Sequence, residues 1–486
     1  MAKVTTVIDI GSNSVRMAIF KKTSQFGFYL FYEIKSKVRI SQSTYEHKGV
    51  LQKNPMKRAL RALNDFKEIA QKYKSRKILC VATSAVRDAP NAQEFIALVK
   101  RVCGLQVRVI DGAKEAFYGG VACANLLHRR DGITVDIGGG STECALIENG
   151  KIKDLISLNL GTIRLKELFF DKKSNLSLAR DFIRAEFAKI PSNFKTTCIF
   201  GVGGTIRALA KVVMLQSNYP IEIVHGFEMQ VAPNLKLLAQ IITSSDAELE
   251  ELGVGEDRID SIRSGTLIFT MLLEYFKASV VVASGVGVRE GVFLSDMLRS
   301  HNHSFPKGIN PSLLSLLDRF LPHSKHSQEV KKECVKLFEA LKPLHGVDEK
   351  YLYHLKIAGQ LSSIGKILSF YNAHKHSAYL SLNALSYGFS HQDRAIICLL
   401  VQFSHKKIPK DSNIAHLSAI MPPILTLQWL SFLLGLAESL CLIRLPKIHY
   451  SLQNKTLKIH CQSDPYLCQE MVGKLVKPVA LSIEFV

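Results

Sequence analysis

None of the ten cysteines stands in a Cys-x-x-Cys pair, which excludes a zinc ribbon and a thioredoxin-type redox site. No low-complexity tract interrupts the 486 residues. One stretch, Ile424 to Leu445, is apolar enough to raise a membrane span, but Gln428 and Glu438 break it and Arg444 lies near its end. A buried helix is the expectation there, and no membrane partner. The opening Met-Ala-Lys-Val runs straight into a strand pattern, so no targeting segment is expected, and the scattered cysteines predict free thiols in a reducing cytoplasm. Acidic side chains are the scarcer sign. Against 63 Lys and Arg stand 42 Asp and Glu, giving a net charge of +21 spread along the chain. Such a field suits a polyanionic ligand, or equally a solvated basic surface. Charge alone does not separate nucleic acid from polyphosphate; no specific nucleic-acid partner is expected.

What is present points to a folded chain: 47% hydrophobic and 22% charged residues. The length exceeds one core and predicts three or four domains at roughly 100–200 residues each. The most informative feature is a repeat. Asp9-Ile10-Gly11-Ser12-Asn13-Ser14 near the start is echoed by Asp136-Ile137-Gly138-Gly139-Gly140-Ser141. Each copy follows an apolar run and precedes a second strand-like stretch, so each reads as strand, tight polar turn, strand. Small residues let backbone N–H groups approach a phosphate, and serines add donors. Two such turns facing each other would clamp a phosphate chain, with Asp9 and Asp136 toward the metal it brings. Alone, Gly-Gly-Gly after a strand is often only a turn. Aspartate, glycine and serine at equal offsets in both copies favour phosphate binding.

The rest of the chain fits two α/β units. Phe26–Ile34, Lys77–Val81 and Val107–Ile110 read as strands; 55–73, 91–102 and 113–127 read as helices. A second unit opens at Ile133, with strands at 151–160, 197–200 and 279–283 and helices at 177–190, from Ile206, and at 261–277. After residue 300 helical patterns dominate, at 311–320, 328–343, 350–369, 391–404 and 424–440. Thirteen of the sixteen histidines lie there. A short tail has strands at 457–461 and 480–485. The expected domains are 1–128, 129–303, 304–440 and 441–486.

A third glycine turn, Gly201-Val202-Gly203-Gly204-Thr205, ends a strand and opens a helix, whose N-terminus suits a phosphate or ribose. It is not a P-loop, for no Gly-Lys-Ser/Thr follows. Arg16, Arg87, Arg258 and Arg289 each lie beside a small-residue turn, as phosphate-binding arginines would. Glu115 starts a helix and Glu143 follows the second turn. Dipole placement would explain the first, and an exposed strand position the second. A carboxylate beside a phosphate clamp also orients or deprotonates water.

The ordered set Val7 to Arg16, Ala82 to Arg87, Val135 to Glu143, Ser157 to Gly161, Gly201 to Thr205 and Ser284 to Val292 resembles the exopolyphosphatase/guanosine-pentaphosphate phosphohydrolase (Ppx/GppA) family over roughly residues 4–295. The resemblance implies a duplicated actin/hexokinase/Hsp70-like (ribonuclease H-like) α/β fold with a C-terminal helical HD-like domain and a small α+β tail. It implies release of the terminal phosphate of pppGpp or polyphosphate, with Mg2+. Glu115 matches the family's proposed base, and Glu143 a second carboxylate that positions water or metal. Asp136 and Asp9 become metal-side carboxylates. Gly138, Gly139, Gly140, Ser141 and Thr142 form one phosphate loop, Gly11, Ser12, Asn13 and Ser14 the other, joined by Arg87, Gly203, Gly204 and Thr205. Arg16, Arg258 and Arg289 fall to guanosine polyphosphate. Where the family usually has Leu-His-Asp-Ile-Gly, this chain has Leu361-Ser362-Ser363-Ile364-Gly365, without the His-Asp pair that holds metal in an HD enzyme, so no second active site is expected and the domain is assigned to dimerisation or chain binding. A homodimer is expected. A kinase of the same superfamily and a non-catalytic polyphosphate sensor are the alternatives.

Overall fold

The computed structural model describes residues 3–44, 46–171, 175–321, 325–445 and 448–486. The chain forms two compact units, one ending at Asn310 and the other starting at Pro311.

The first unit contains one plan twice. Its first half runs β1 (Val4–Ile10), β2 (Val15–Lys22), β3 (Phe28–Ser36), α1 (Lys53–Lys72), β4 (Lys77–Ala82), α2 (Ala92–Cys103), β5 (Val107–Val109) and α3 (Gly112–Leu126). The sheet order is β3-β2-β1-β4-β5; the first three strands are antiparallel, and β4 and β5 join parallel. The second half runs β6 (Gly132–Ile137), β7 (Thr142–Glu148), β8 (Lys151–Leu158), α4 (Leu176–Phe187), β9 (Cys198–Val202), α5 (Gly203–Gln216), β10 (Glu228–Gln230), α6 (Val231–Thr243), α7 (Ile259–Tyr275), β11 (Val280–Ala283) and α8 (Val288–Met297). Its order, β8-β7-β6-β9-β11, repeats the first sheet and adds β10 antiparallel at the edge. This is the duplicated ribonuclease H-like plan of actin, hexokinase and Hsp70.

The central strands are covered on both faces, so they read as near-continuous apolar runs. In β1 every residue but Asp9 is buried, and in β6 every residue but Asp136. The aspartates therefore mark where both sheets open. The closing helices are exchanged between halves. Helix α3 packs on β7 and β8, where Gly120 sits against Ala145 and Ile152. Helix α8 packs on β1 and β2, with Phe293 stacked on Phe20 at 4.4 Å between ring centroids. The two helices meet at Gly291, where a Cβ would lie 1.9 Å from the Tyr118 carbonyl oxygen.

The second unit is helical, with α9 (Pro311–Phe320), α10 (Lys325–His345), α11 (Leu352–Leu361), α12 (Ala373–Ala384), α13 (His391–Gln402) and α14 (Ile424–Leu440). A small sheet follows, of β12 (His449–Gln453), β13 (Thr456–His460) and β14 (Ser482–Phe485), with α15 (Tyr466–Gly473) before its last strand. Helix α14 supplies the core of this unit through Leu427, Trp429, Leu430, Phe432 and Leu433. Among the described residues no single helix is long and apolar enough to cross a membrane; Asp411–Ile420 and Ile424–Leu440 pass that test only as a pair, bent by 114°.

Residues 350–369 are not the single helix that periodicity predicts. Helix α11 ends at Leu361, and a 3₁₀ turn follows at Ile364–Ile367. The Gly365 amide donates to Ser377 Oγ at 2.7 Å, and a Cβ at Gly365 would lie 2.1 Å from the Ala373 carbonyl oxygen. Close packing against α12, a helix the pattern did not predict, ends the run. All ten cysteines are free thiols.

Two predictions follow from this packing. Gly291→Ala forces the exchanged helices apart and is expected to cost about 1–3 kcal/mol in urea unfolding, as over-packing does. At the sheet edge, Arg129 Nε donates to Glu228 at 2.6 Å, and His128 Nε2 lies 2.7 Å from the same carboxylate. Burial alone would raise the Glu228 carboxyl, but these hydrogen bonds outweigh it and hold it at about 2. A lowered folded-state value adds stability that is complete above the ordinary glutamate range and lost as pH falls toward 2. Glu228→Gln is expected to flatten thermal stability between about pH 4.3 and pH 2, as melting curves would register.

Candidate active site

The two turns face each other. Gly11 N–H donates to the Ser14 carbonyl at 3.2 Å, and Gly138 N–H to the Ser141 carbonyl at 2.9 Å, so the copies share one closing bond. A Cβ built on Gly139 would lie 2.9 Å from Ser12 Cβ, which brings the turns of the two lobes into contact distance. Between them lies a cleft of about 140 Å³. It is lined by Asp9, Gly11, Ser12, Asn13, Ser14 and Arg16 from the first hairpin and by Asp136, Gly138, Gly139 and Ser141 from the second. Gly203, Gly204 and Thr205, the first turn of α5, and Glu115, Arg258 and Arg289 complete the predicted members that line it. The N-termini of α5 and α8 open into the same space, a favourable field for an anion.

Gly203 adopts φ +89°, and a Cβ there would lie 2.5 Å from Asp136 Oδ1. Only glycine meets both demands. A Cβ at Gly204 would strike the Arg258 guanidinium at 2.3 Å. The third glycine turn thus lets an aspartate and an arginine approach the floor of the cleft.

Strand register explains the asymmetry of the halves. Asp9 pairs with Arg16 across the first hairpin, and Asp136 with Glu143 across the second. One duplicated position holds a cation in the first lobe and a carboxylate in the second.

Four predicted residues lie outside the cleft lining: Arg87, Gly140, Thr142 and Glu143. Arg87 Nη1 donates to Glu115 Oε2 at 3.0 Å and to the Ile110 carbonyl, so it holds Glu115 in place. The Gly140 carbonyl accepts from Arg164, and the Thr142 hydroxyl donates to the Leu160 carbonyl. Glu143 is not an exposed strand residue. It is only 3% exposed and accepts from Ser157 Oγ at 2.9 Å. Burial raises Glu115 well above the usual carboxylate range, and the Glu143 charge raises it further. Burial likewise raises Glu143.

Sequence reading missed several cleft residues. Arg207, one turn into α5, donates to the carbonyls of Gly203 and Gly285. Thr83, Ser84, Thr162, Ser261 and Glu290 also line the cleft, and Ser84 Oγ lies 3.1 Å from Ser12 Oγ. An arginine two residues after Gly-Gly-Thr was the available signal. Burial, then Arg207 and Arg289, lowers Arg16 to about 10. Crowded guanidinium groups of this kind call for an anion. Ion pairs tie the lobes at the rim: Lys35 to Asp257 at 2.7 Å, Arg39 to Asp260 at 3.3 Å, Arg289 to Glu33 at 2.5 Å and Arg164 to Asp88 at 3.6 Å.

Asp9 Oδ1 is buried without a hydrogen-bond partner. Burial raises Asp9, and it raises Asp136 to about 6. Two desolvated carboxylates, one with an orphaned oxygen, fit a hard divalent cation that completes its shell with phosphate oxygens and water. Among the described residues no group of three or more His, Cys, Asp or Glu is placed to hold a metal unaided.

Facing glycine-serine turns, exchanged helices and paired aspartates define a two-lobed protein of the actin-like class. Residues 18–300 match the Ppx/GppA phosphatase family, and residues 310–460 match Ppx/GppA phosphatase domain III. The chain belongs to the Ppx/GppA phosphatase family. It is 27% identical over 483 residues to a guanosine-5'-triphosphate,3'-diphosphate pyrophosphatase of Pseudoalteromonas translucida, covering 95% of this chain and 92% of that one. The crystal structure of the Aquifex aeolicus member of the family is 30% identical, with a TM-score of 0.54 over 62% of this chain and 99% of that one. An exopolyphosphatase of Cytophaga hutchinsonii, 23% identical with a TM-score of 0.55 over 62% of this chain and 100% of that one, shares the fold.

The metal assignment has a direct test in thermal unfolding. Asp9→Asn and Asp136→Asn each remove a desolvated charge and are expected to raise Tm in chelator. Millimolar Mg2+ is expected to raise the Tm of the unsubstituted protein and leave that of the double variant unmoved, since only a ligand of the native state stabilises it.

Proposed function

We propose that this protein hydrolyses the terminal phosphate of pppGpp, giving ppGpp, and of inorganic polyphosphate. The observation that supports this most is the contact of the Ser12 and Gly139 turns across a cleft that Glu115 also lines. Backbone N–H groups of both turns would hold the terminal phosphate, with Ser12, Ser14 and Ser141 as further donors. Arg16, Arg207, Arg258 and Arg289 would hold the phosphates behind it and the charge that develops on the leaving oxygen. Mg2+, held through Asp9 and Asp136, would neutralise phosphate charge.

Glu115 is the proposed base. It lines the cleft, and Arg87 fixes one carboxylate oxygen and leaves the other for water. Burial raises its carboxyl, the direction that strengthens a general base. Water attacks phosphorus, its proton passes to Glu115, and the P–O bond to the remaining chain breaks. Glu143, held by Ser157, sets the charge felt by Glu115 from behind. The family match and these two buried glutamates disfavour the kinase and the non-catalytic sensor. Free thiols support a cytoplasmic site of action, and a homodimer is the assembly the family resemblance implies.

Phosphate release from pppGpp and from polyphosphate by one preparation tests the proposal. Glu115→Gln is expected to lower kcat by about 10²–10⁴ with KM little changed, and Glu143→Gln to lower kcat and shift its pH profile. Undiminished release in both variants would sink the mechanism. Arg207→Ala is expected to raise KM.

A further inference from the structure

The helical unit holds a second cavity, of about 610 Å³, within the range of small-molecule sites. Ser362 lines it, so it lies where the His-Asp pair of an HD enzyme would stand, yet no metal-binding group of three is found among the described residues. Its depth is formed by Glu438 on α14 beside the buried Ser362 and Ser404. Burial raises the Glu438 carboxyl against the opposing effect of those two hydroxyls. Half-buried His326 and His374 form the wall. At the rim His405 stacks on His374 at 6.0 Å, Lys366 is exposed, and Phe370 and Tyr371 stand 76% and 79% exposed.

Three chemistries meet here: an acceptor at depth, flat apolar surface at the mouth, and the Lys366 ammonium with imidazole N–H donors around it. An organic cation would suit Glu438 but would be repelled by Lys366. A bare phosphate would suit the lysine and the imidazole donors but would leave the carboxylate facing it. A flat ring with paired N–H donors at one end and an anionic tail at the other satisfies all three. Guanine offers N1–H and its 2-amino group side by side, where adenine presents a ring acceptor. We propose that this cavity binds a guanine nucleotide, with the base against Glu438, stacked by the rim aromatics, and the phosphates among His326, Lys366 and His405. The site is distinct from the cleft and stands independently of the reaction proposed there.

The test is calorimetric titration of GDP, ADP and inorganic pyrophosphate into the full chain carrying Arg16→Ala and Arg258→Ala, which weakens the cleft for anions. One GDP per chain is expected, bound about tenfold more tightly than ADP, the worth of a hydrogen bond to a charged group. Pyrophosphate is expected to bind more weakly than either. Adding Glu438→Gln is expected to erase the preference for GDP over ADP. Adding Lys366→Glu, at an exposed position that leaves folding intact, is expected to weaken both nucleotides by about tenfold. No GDP binding, equal GDP and ADP binding, or GDP binding that Lys366→Glu leaves unchanged would each overturn the assignment.

Discussion

The first unit depends on one close approach: a serine turn of one lobe against a glycine turn of the other. Gly139 has no side chain because Ser12 occupies the space where a Cβ would need to be. That contact narrows the place where the acidic and basic side chains of both hairpins converge. Desolvation then does the electrical work, raising the carboxyls of Asp9, Asp136, Glu115 and Glu143 and lowering the Arg16 guanidinium. In a wider cleft, water would screen the same groups and their differences would shrink.

Duplication supplies the frame, and divergence supplies the chemistry. Both hairpins place an aspartate at the one incompletely buried position of a central strand. Across the register the first lobe carries Arg16 and the second Glu143. Two symmetric lobes would offer two equal anion sites. Changing one partner residue gives the first hairpin a guanidinium and the second a buried carboxylate at the same duplicated position. The exchanged helices couple the two halves, because α3 carries Glu115 from the first half onto the second sheet, while α8 brings Arg289 onto the first.

Stability and function pull against each other at this site. A buried aspartate oxygen with no hydrogen-bond partner and several crowded guanidinium groups are costly features in a folded chain. They persist because the surrounding sheets are well packed, and the proposed metal-bound phosphate would satisfy them. The helical unit treats its charged and polar groups differently. His345 is bonded to the Phe338 carbonyl at 2.8 Å, and His354 lies 2.7 Å from Asp393, so these buried histidines serve the core.

The repeated Asp-Ile-Gly turns, the strand pattern of both lobes and the acidic and arginine candidates were legible because they are local: periodicity and turn composition are set by neighbours in the chain. The end of α11 was not legible, because Ser377 and Ala373, twelve and eight residues past Gly365, forbid its continuation. Arg207 looked like any helix arginine until the fold set it beside the cleft, and Thr142 looked like a phosphate donor until its hydroxyl reached Leu160. The sequence by itself determined which groups of residues act together, through a duplication written in equal offsets. Only the tertiary structure decided which of them face the cleft and which stand behind it, because desolvation and close approach are properties of the space between segments distant in the chain.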